Sequence, residues 1–111
     1  MNVRFENKGD LTVCYIDGEV DINSAPAIKK SFEKVIQKKA GKVIINFKSV
    51  NYVDSSGLAT LVEVLKNMRQ YGGKLKLTNL SSKIKSLFEI TKLEKLFDIV
   101  PEEEEATSSF S

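Results

Sequence analysis

The sequence predicts a small α/β domain: a mixed, mostly parallel sheet with about four helices, in the order β-β-α-β-α-β-α-(β)-α. Three observations carry this. Short apolar runs, Leu11-Thr12-Val13-Cys14-Tyr15-Ile16 and Val43-Ile44-Ile45-Asn46-Phe47, alternate with longer segments whose apolar residues recur every three or four positions. The first run is largely apolar on both faces and the second is continuously apolar, as expected of covered strands rather than strands facing water. Strands alternating with helices of this length pair in parallel through right-handed crossovers.

Taken in order, Val3-Arg4-Phe5 alternates weakly and reads as an edge strand, closed by the turn residues Asn7-Lys8-Gly9-Asp10. In the second strand Leu11, Val13 and Tyr15 share one face and Cys14 and Ile16 the other. A helix is expected to start near Asn23 or Ser24, either of which caps first-turn amides, with Pro26 tolerated in that turn. Ala25, Ile28, Phe32, Val35 and Ile36 form its stripe, and Gly41 is expected to stop it. After the central strand Val43 to Phe47, Asp54-Ser55-Ser56-Gly57 opens a second helix with the stripe Leu58, Leu61, Val62, Leu65 and Met68, ended by Gly72-Gly73. Leu75 and Leu77 mark another strand. Ser81 or Ser82 introduces a third helix carrying Ile84, Leu87 and Phe88. Leu93 and Leu96-Phe97 pack after it, Ile99-Val100 reads as a last short strand, and Pro101 suits the first position of a final helix whose glutamates, Glu102 to Glu105, read as a solvated start.

At 111 residues, 41% hydrophobic and 29% charged, residues 1–111 have room for one domain with a single core. The chain contains no histidine, which removes the Ser/His/Asp triad, imidazole acid–base chemistry and His-ligated metals. One cysteine, Cys14, cannot form an internal bridge and lies in an apolar run, which suits a reducing compartment. The opening Met1 to Glu6 lacks a signal-peptide stretch, and no segment approaches the ~18 apolar residues of a membrane span. A cytoplasmic location away from membranes is expected. Lysine and arginine number 17 against 15 acids, and the lysines read as scattered over solvated helix faces, so no nucleic-acid partner is expected.

Functional groups in such folds lie where strand ends lead into helix N-termini. Two segments meet that description, Gly18-Glu19-Val20-Asp21 and Tyr52-Val53-Asp54-Ser55-Ser56-Gly57-Leu58. If their strands are neighbours, Asp21 and Ser55 come close in space. The bland reading of Ser55 or Ser56 is a helix cap worth about 1 kcal/mol. The functional reading is a hydroxyl exposed to a kinase, where helix amides would favour a phosphate and the carboxylates of Asp54 and Asp21 would oppose it. Asp17, Glu19 and Asp21 alternate at a strand end, too few converging oxygens for a hard cation, so no metal site is expected. No glycine-rich phosphate loop is present, and no cofactor is expected. Tyr52 and Phe47 read as core or flanking packing.

These pieces together resemble the STAS domain family, and within it the stand-alone bacterial anti-sigma factor antagonists. The resemblance lies in Gly18-Glu19-Val20-Asp21, Val43 to Phe47, and Val50-Asn51-Tyr52-Val53-Asp54-Ser55-Ser56-Gly57-Leu58-Ala59, with Gly72 to Leu75 and Phe88 to Leu93 behind them. It implies a STAS-type fold over nearly the whole chain and a binding protein rather than an enzyme. It also implies phosphorylation of Ser55 by a partner that is both an anti-sigma factor and a serine kinase, with a PP2C-type phosphatase removing the mark. The unphosphorylated form would bind the anti-sigma factor and free the sigma factor, with Asp21, Asp54, Ser56, Gly57 and Leu58 around the docking surface. A weak homodimer is left open. Ala59 stands where many relatives carry glycine, a change that a helix tolerates.

Two other readings compete. A STAS-type subunit of a membrane transporter or stressosome-like assembly would co-purify with those partners. A small hydrolase using Ser55 would need a lysine or carboxylate base, and no lysine is tied to Ser55 by sequence.

Overall fold

The computed structural model describes residues 1–110. β1 (Asn2–Lys8) and β2 (Leu11–Val20) form an antiparallel hairpin, with Lys8 opposite Leu11 across Gly9-Asp10. There follow α1 (Ala25–Gln37), β3 (Lys42–Asn46), β4 (Val50–Val53), α2 (Ser55–Arg69), β5 (Lys74–Thr78), α3 (Ser82–Ile90), a 3-10 turn at Leu93–Lys95, β6 (Asp98–Val100) and α4 (Glu103–Ser109). The sheet runs β1-β2-β3-β5-β6, antiparallel only at β1, while β4 pairs with β2 off this path. This is the mixed, mostly parallel sheet with four helices that the sequence predicts.

The apolar pattern explains the layers. Cys14, Ile16, Val43 and Ile45 point to one side, where they join Ile28 and Phe32 of α1, Leu61 and Met68 of α2, and Phe88 of α3 in the main core. Phe88 meets Phe47 and Phe97 edge to face at ring separations of 6.5 and 5.6 Å. Leu11, Val13 and Ile44 point to the other side and are covered by Ala106 of α4. Thus β2 and β3 are apolar on both faces because each face has its own helical cover.

The sequence-based order lacks β4. Val50–Val53 is only four residues long with a buried-exposed-exposed-buried pattern, so it shows no period-2 alternation. It forms because β2 outruns the main sheet. Leu11 to Tyr15 pair with β3, the register shifts between Gly18 and Glu19, and Gly18 to Val20 then pair with β4. Gly18 has φ +112°, a backbone state that a side chain would strain. One long strand therefore carries two neighbours, and its far end lies beside the start of α2.

Several termini differ from expectation. Ser24 flanks α1, but its hydroxyl makes no capping bond, and Asn23 makes none either; the Ser24 oxygen serves the preceding loop. α1 ends at Gln37, before Gly41, because Lys39 takes the left-handed turn at φ 53°. Pro101 lies outside α4, preceding its flanking residue Glu102. The cap of α4 comes from elsewhere in the chain: the Asn79 side-chain oxygen accepts the Glu103 amide at 3.2 Å.

The acidic run is not simply solvated. Glu103 reaches over the sheet and accepts hydrogen bonds from Asn46 Nδ2 at 3.0 Å, Tyr15 Oη at 3.1 Å and Lys8 Nζ at 3.3 Å. It links α4 to β3, β2 and β1 at once. Burial alone would push its carboxyl up, but the bonds from Asn46, Tyr15 and Lys8 outweigh that and hold it below the usual range.

At the other end, α2 begins against β2. Gly57 is buried, and a Cβ there would lie 2.1 Å from the Val20 carbonyl oxygen and 2.7 Å from its carbon. Only glycine permits this approach.

Two predictions follow from these contacts. Gly57→Ala should cost about 2 kcal/mol, the order of an overpacked core site, measured by denaturant unfolding; a neutral substitution would contradict the close approach. Glu103 has a depressed folded-state pKa, so its contribution is fully present above the unfolded value of about 4.3 and is lost as pH falls through the folded value. Protection of the amides of 103–110, taken relative to their intrinsic exchange rates, should therefore fall below about pH 4.3. Glu103→Gln should lose roughly 1 kcal/mol at neutral pH and most of this acid sensitivity.

Candidate functional site

Pairing of Val20 with Val53 brings the two predicted loops side by side at the carboxyl ends of β2 and β4. The first loop is tightly self-bonded. Asp21 Oδ1 accepts the amides of Asn23 at 3.0 Å and Ser24 at 2.9 Å. The Ser24 hydroxyl accepts the Asp21 amide at 2.9 Å and donates to the Glu19 carbonyl at 2.7 Å. The Ser24 amide, with lesser help from Asn23, holds the Asp21 carboxyl below its ordinary range, so Asp21 is an anion at neutral pH.

Asp54 joins this loop to α2. Its Oδ1 accepts the Gly57 amide at 2.8 Å, capping the helix, and its Oδ2 accepts the Ile22 amide at 3.1 Å. Its backbone amide donates to the Val20 carbonyl at 3.2 Å, and its own carbonyl accepts the Leu58 amide at 3.0 Å. The residue is extended at φ −110°, ψ −177°, the usual state for a residue that precedes a helix. The cap expected of Ser55 or Ser56 is thus supplied by the aspartate before them.

That leaves Ser55 without a structural task. It is the first residue of α2, it is exposed, and among the described residues nothing hydrogen-bonds to its hydroxyl. The amides of Ser55 and Ser56 have no intrahelical acceptor, so the positive end of the α2 dipole opens at this hydroxyl. Ser56 is half-buried, and its carbonyl accepts the Thr60 hydroxyl at 3.0 Å.

Of the residues singled out in the sequence, Ser55 is exposed and Asp21, Asp54 and Ser56 are half-buried, whereas Gly57 and Leu58 are buried. Leu58 faces the core at helical spacing with Leu61, so both residues can act only by setting the position of α2. Two surface residues escape the sequence reading. Ile22 is 67% exposed, a lone apolar residue among polar loop neighbours. Tyr52, read there as packing, is 46% exposed, because β4 turns it outward opposite Glu19. An apolar side chain isolated in a loop that lacks any stripe is the signal that marks Ile22.

Among the described residues no three His, Cys, Asp or Glu side chains converge as metal ligands. Among the described residues no lysine or carboxylate hydrogen-bonds to the Ser55 hydroxyl. No helix among the described residues is long and apolar enough to cross a membrane.

The family described as the STAS domain matches residues 2–106. The anti-sigma-B factor antagonist of Bacillus subtilis (strain 168) is 38% identical over 94 residues, covering 85% of this chain and 84% of that relative. A protein of the same name from Listeria monocytogenes is 38% identical over 103 residues, covering 89% and 90%. Among solved structures, an anti-sigma factor antagonist from Mycobacterium paratuberculosis superposes with a TM-score of 0.89 at 20% identity, covering 97% of this chain and 92% of that one. With its family matched almost end to end and two relatives well above 30% identity, the chain belongs to the STAS domain family.

Proposed function

We propose that this chain is an anti-sigma factor antagonist whose docking is controlled by phosphorylation of Ser55. The chain acts by binding and not by turnover. In the unphosphorylated state it engages an anti-sigma factor that is also a serine kinase, and so frees the sigma factor. The observation that carries the reading is the unencumbered Ser55 hydroxyl at an exposed helix start, spared from capping by Asp54. The relatives named anti-sigma-B factor antagonists support the class of partner.

The chemistry of the switch follows from charge. Phosphorylation adds about −1.5 to −2 at neutral pH. The helix amides accept that charge, so α2 is retained. Asp54 and Asp21 repel it, and water and salt screen that repulsion at an exposed loop. The surface presented by Ile22, Tyr52 and Ser56 thus changes its electrostatic character while the fold beneath is kept. Asp21 and Asp54 line the partner-binding surface, and Gly57 and Leu58 hold α2 in place under it. A PP2C-type phosphatase is the reversing partner.

The test is affinity for the anti-sigma serine kinase encoded nearest to this chain. Ser55→Ala should bind within about twofold of the unmodified protein, and Ser55→Asp at least about tenfold more weakly, roughly 1.4 kcal/mol. With ATP, the kinase should add one phosphate, mapped to Ser55 by peptide mass and absent from Ser55→Ala. Equal affinities of the two variants would remove the mechanism.

A further inference from the structure

β1 ends the sheet. Among the described residues it pairs only with β2, so alternate residues along Asn2–Lys8 turn open backbone groups outward, with no proline or bulge to interrupt them. Edges of this length are usually blunted by charge or cover. Here the charges of β1 are drawn to the α4 side: Arg4 lies 4.4 Å over the Tyr15 ring and pairs with Glu6, and Lys8 reaches Glu103. The opposite face, Val3, Phe5 and Asn7, is left unguarded.

Between that face and α1 runs an open groove of about 550 Å³, within the size range of ligand sites. Its floor is apolar, formed by Val3, Phe5, Val35 and Ala40, and Lys30, Lys34 and Lys38 line its helical rim. All three lysines are exposed and none is in an ion pair among the described residues, whereas Lys29 one residue away pairs with Glu63 at 3.0 Å. The lysines read as scattered in the sequence; helical geometry gathers these three into a row about 6 Å apart. Like charges at this spacing disfavour the helix. The α1 dipole offsets that at Lys34 and Lys38, near its C-terminus, but not at mid-helix Lys30.

We propose that this groove captures an extended acidic protein segment, which adds to β1 as a further strand. Side chains on one face of a strand repeat about every 6.6 Å, close to the spacing of the lysine row. Carboxylates four positions apart on that face, about 13 Å, would meet Lys30 and Lys38 with Lys34 between them, and the apolar residue midway on the same face would fill the floor. Charge complementarity selects this occupant. A second copy paired through β1 would bring two lysine rows together. A single-stranded nucleic acid would need an open stacking ring, but the Phe5 ring is engaged edge to face on Phe32, at 5.3 Å and 77°. None of Asp21, Asp54 and Ser55 lines the groove, so this site stands apart from the proposed switch.

The full chain, labelled with ¹⁵N, is titrated with the peptide acetyl-Thr-Glu-Thr-Val-Thr-Glu-Thr-amide. Saturable shifts are expected at Asn2–Lys8 and along α1, with the Ser55 loop unmoved. Lys30→Glu and Lys34→Glu, each verified as folded by its own spectrum, should weaken binding at least tenfold. The same peptide with lysine in place of glutamate should not bind, nor should one N-methylated along the edge that meets β1. Absent shifts, shifts centred on Ser55, unchanged affinity in the lysine variants, equal binding of the N-methylated peptide, oligothymidylate binding as tight as the peptide, or a β1-mediated dimer without peptide would each overturn the proposal.

Discussion

The site depends on one side chain that performs two tasks. The Asp54 carboxylate caps α2 through Gly57 and anchors the neighbouring loop through Ile22, while its backbone amide and carbonyl bond to Val20 and Leu58. Every hydrogen-bonding group of this residue thus fastens the end of β2 to the start of α2. Because the cap is an aspartate, the serine that follows owes nothing to the fold. A serine that capped the helix would lose that bond on modification, at a cost of about 1 kcal/mol; Ser55 can gain a phosphate without breaking any contact. The arrangement separates the residue that builds the junction from the residue proposed to be marked.

The same separation extends through the molecule. Stability on the far face rests on Glu103, which ties α4 to three strands, and on apolar burial around Ile44 and Ala106. The proposed switch surface lies at the opposite kind of feature, two loops held by short hydrogen bonds with apolar Ile22 and Tyr52 standing out from them. Gly57 connects the two regimes, because its close approach to Val20 passes the position of the sheet directly to the start of α2. In the proposed switch, charge added at Ser55 would therefore act on a partner through a rigid platform rather than through a loosened helix.

Most of the fold was legible because it follows from periodicity. The two-sided apolar character of Leu11 to Ile16 and Val43 to Phe47 reports helices on both faces, and the stripes of α1, α2 and α3 report which side of each is buried. What escaped depends on contacts between distant residues. β4 is too short to carry a period and exists because β2 changes partners at Gly18. The α4 cap comes from Asn79, 24 positions before the amide that it accepts. Glu103 looked like its three glutamate neighbours, and only the fold reveals the ring of donors around it. At the site, the strand-end rule made the approach of Asp21 to Asp54-Ser55 legible on the condition that their strands are neighbours, whereas the choice of Asp54 over the serines as the cap was not legible, since aspartate and serine both cap helices well.

The central claim is that a phosphate at position 55 alters the surface and leaves the scaffold intact. The most direct measurement compares amide chemical shifts and hydrogen exchange of the protein with serine or phosphoserine at position 55. Changes confined to residues 21–24 and 52–58, with protection of β2, β3 and the body of α2 preserved, are the predicted result. Loss of protection along α2 or through the sheet would show that modification unfolds the helix start, and would contradict a switch that works by charge alone.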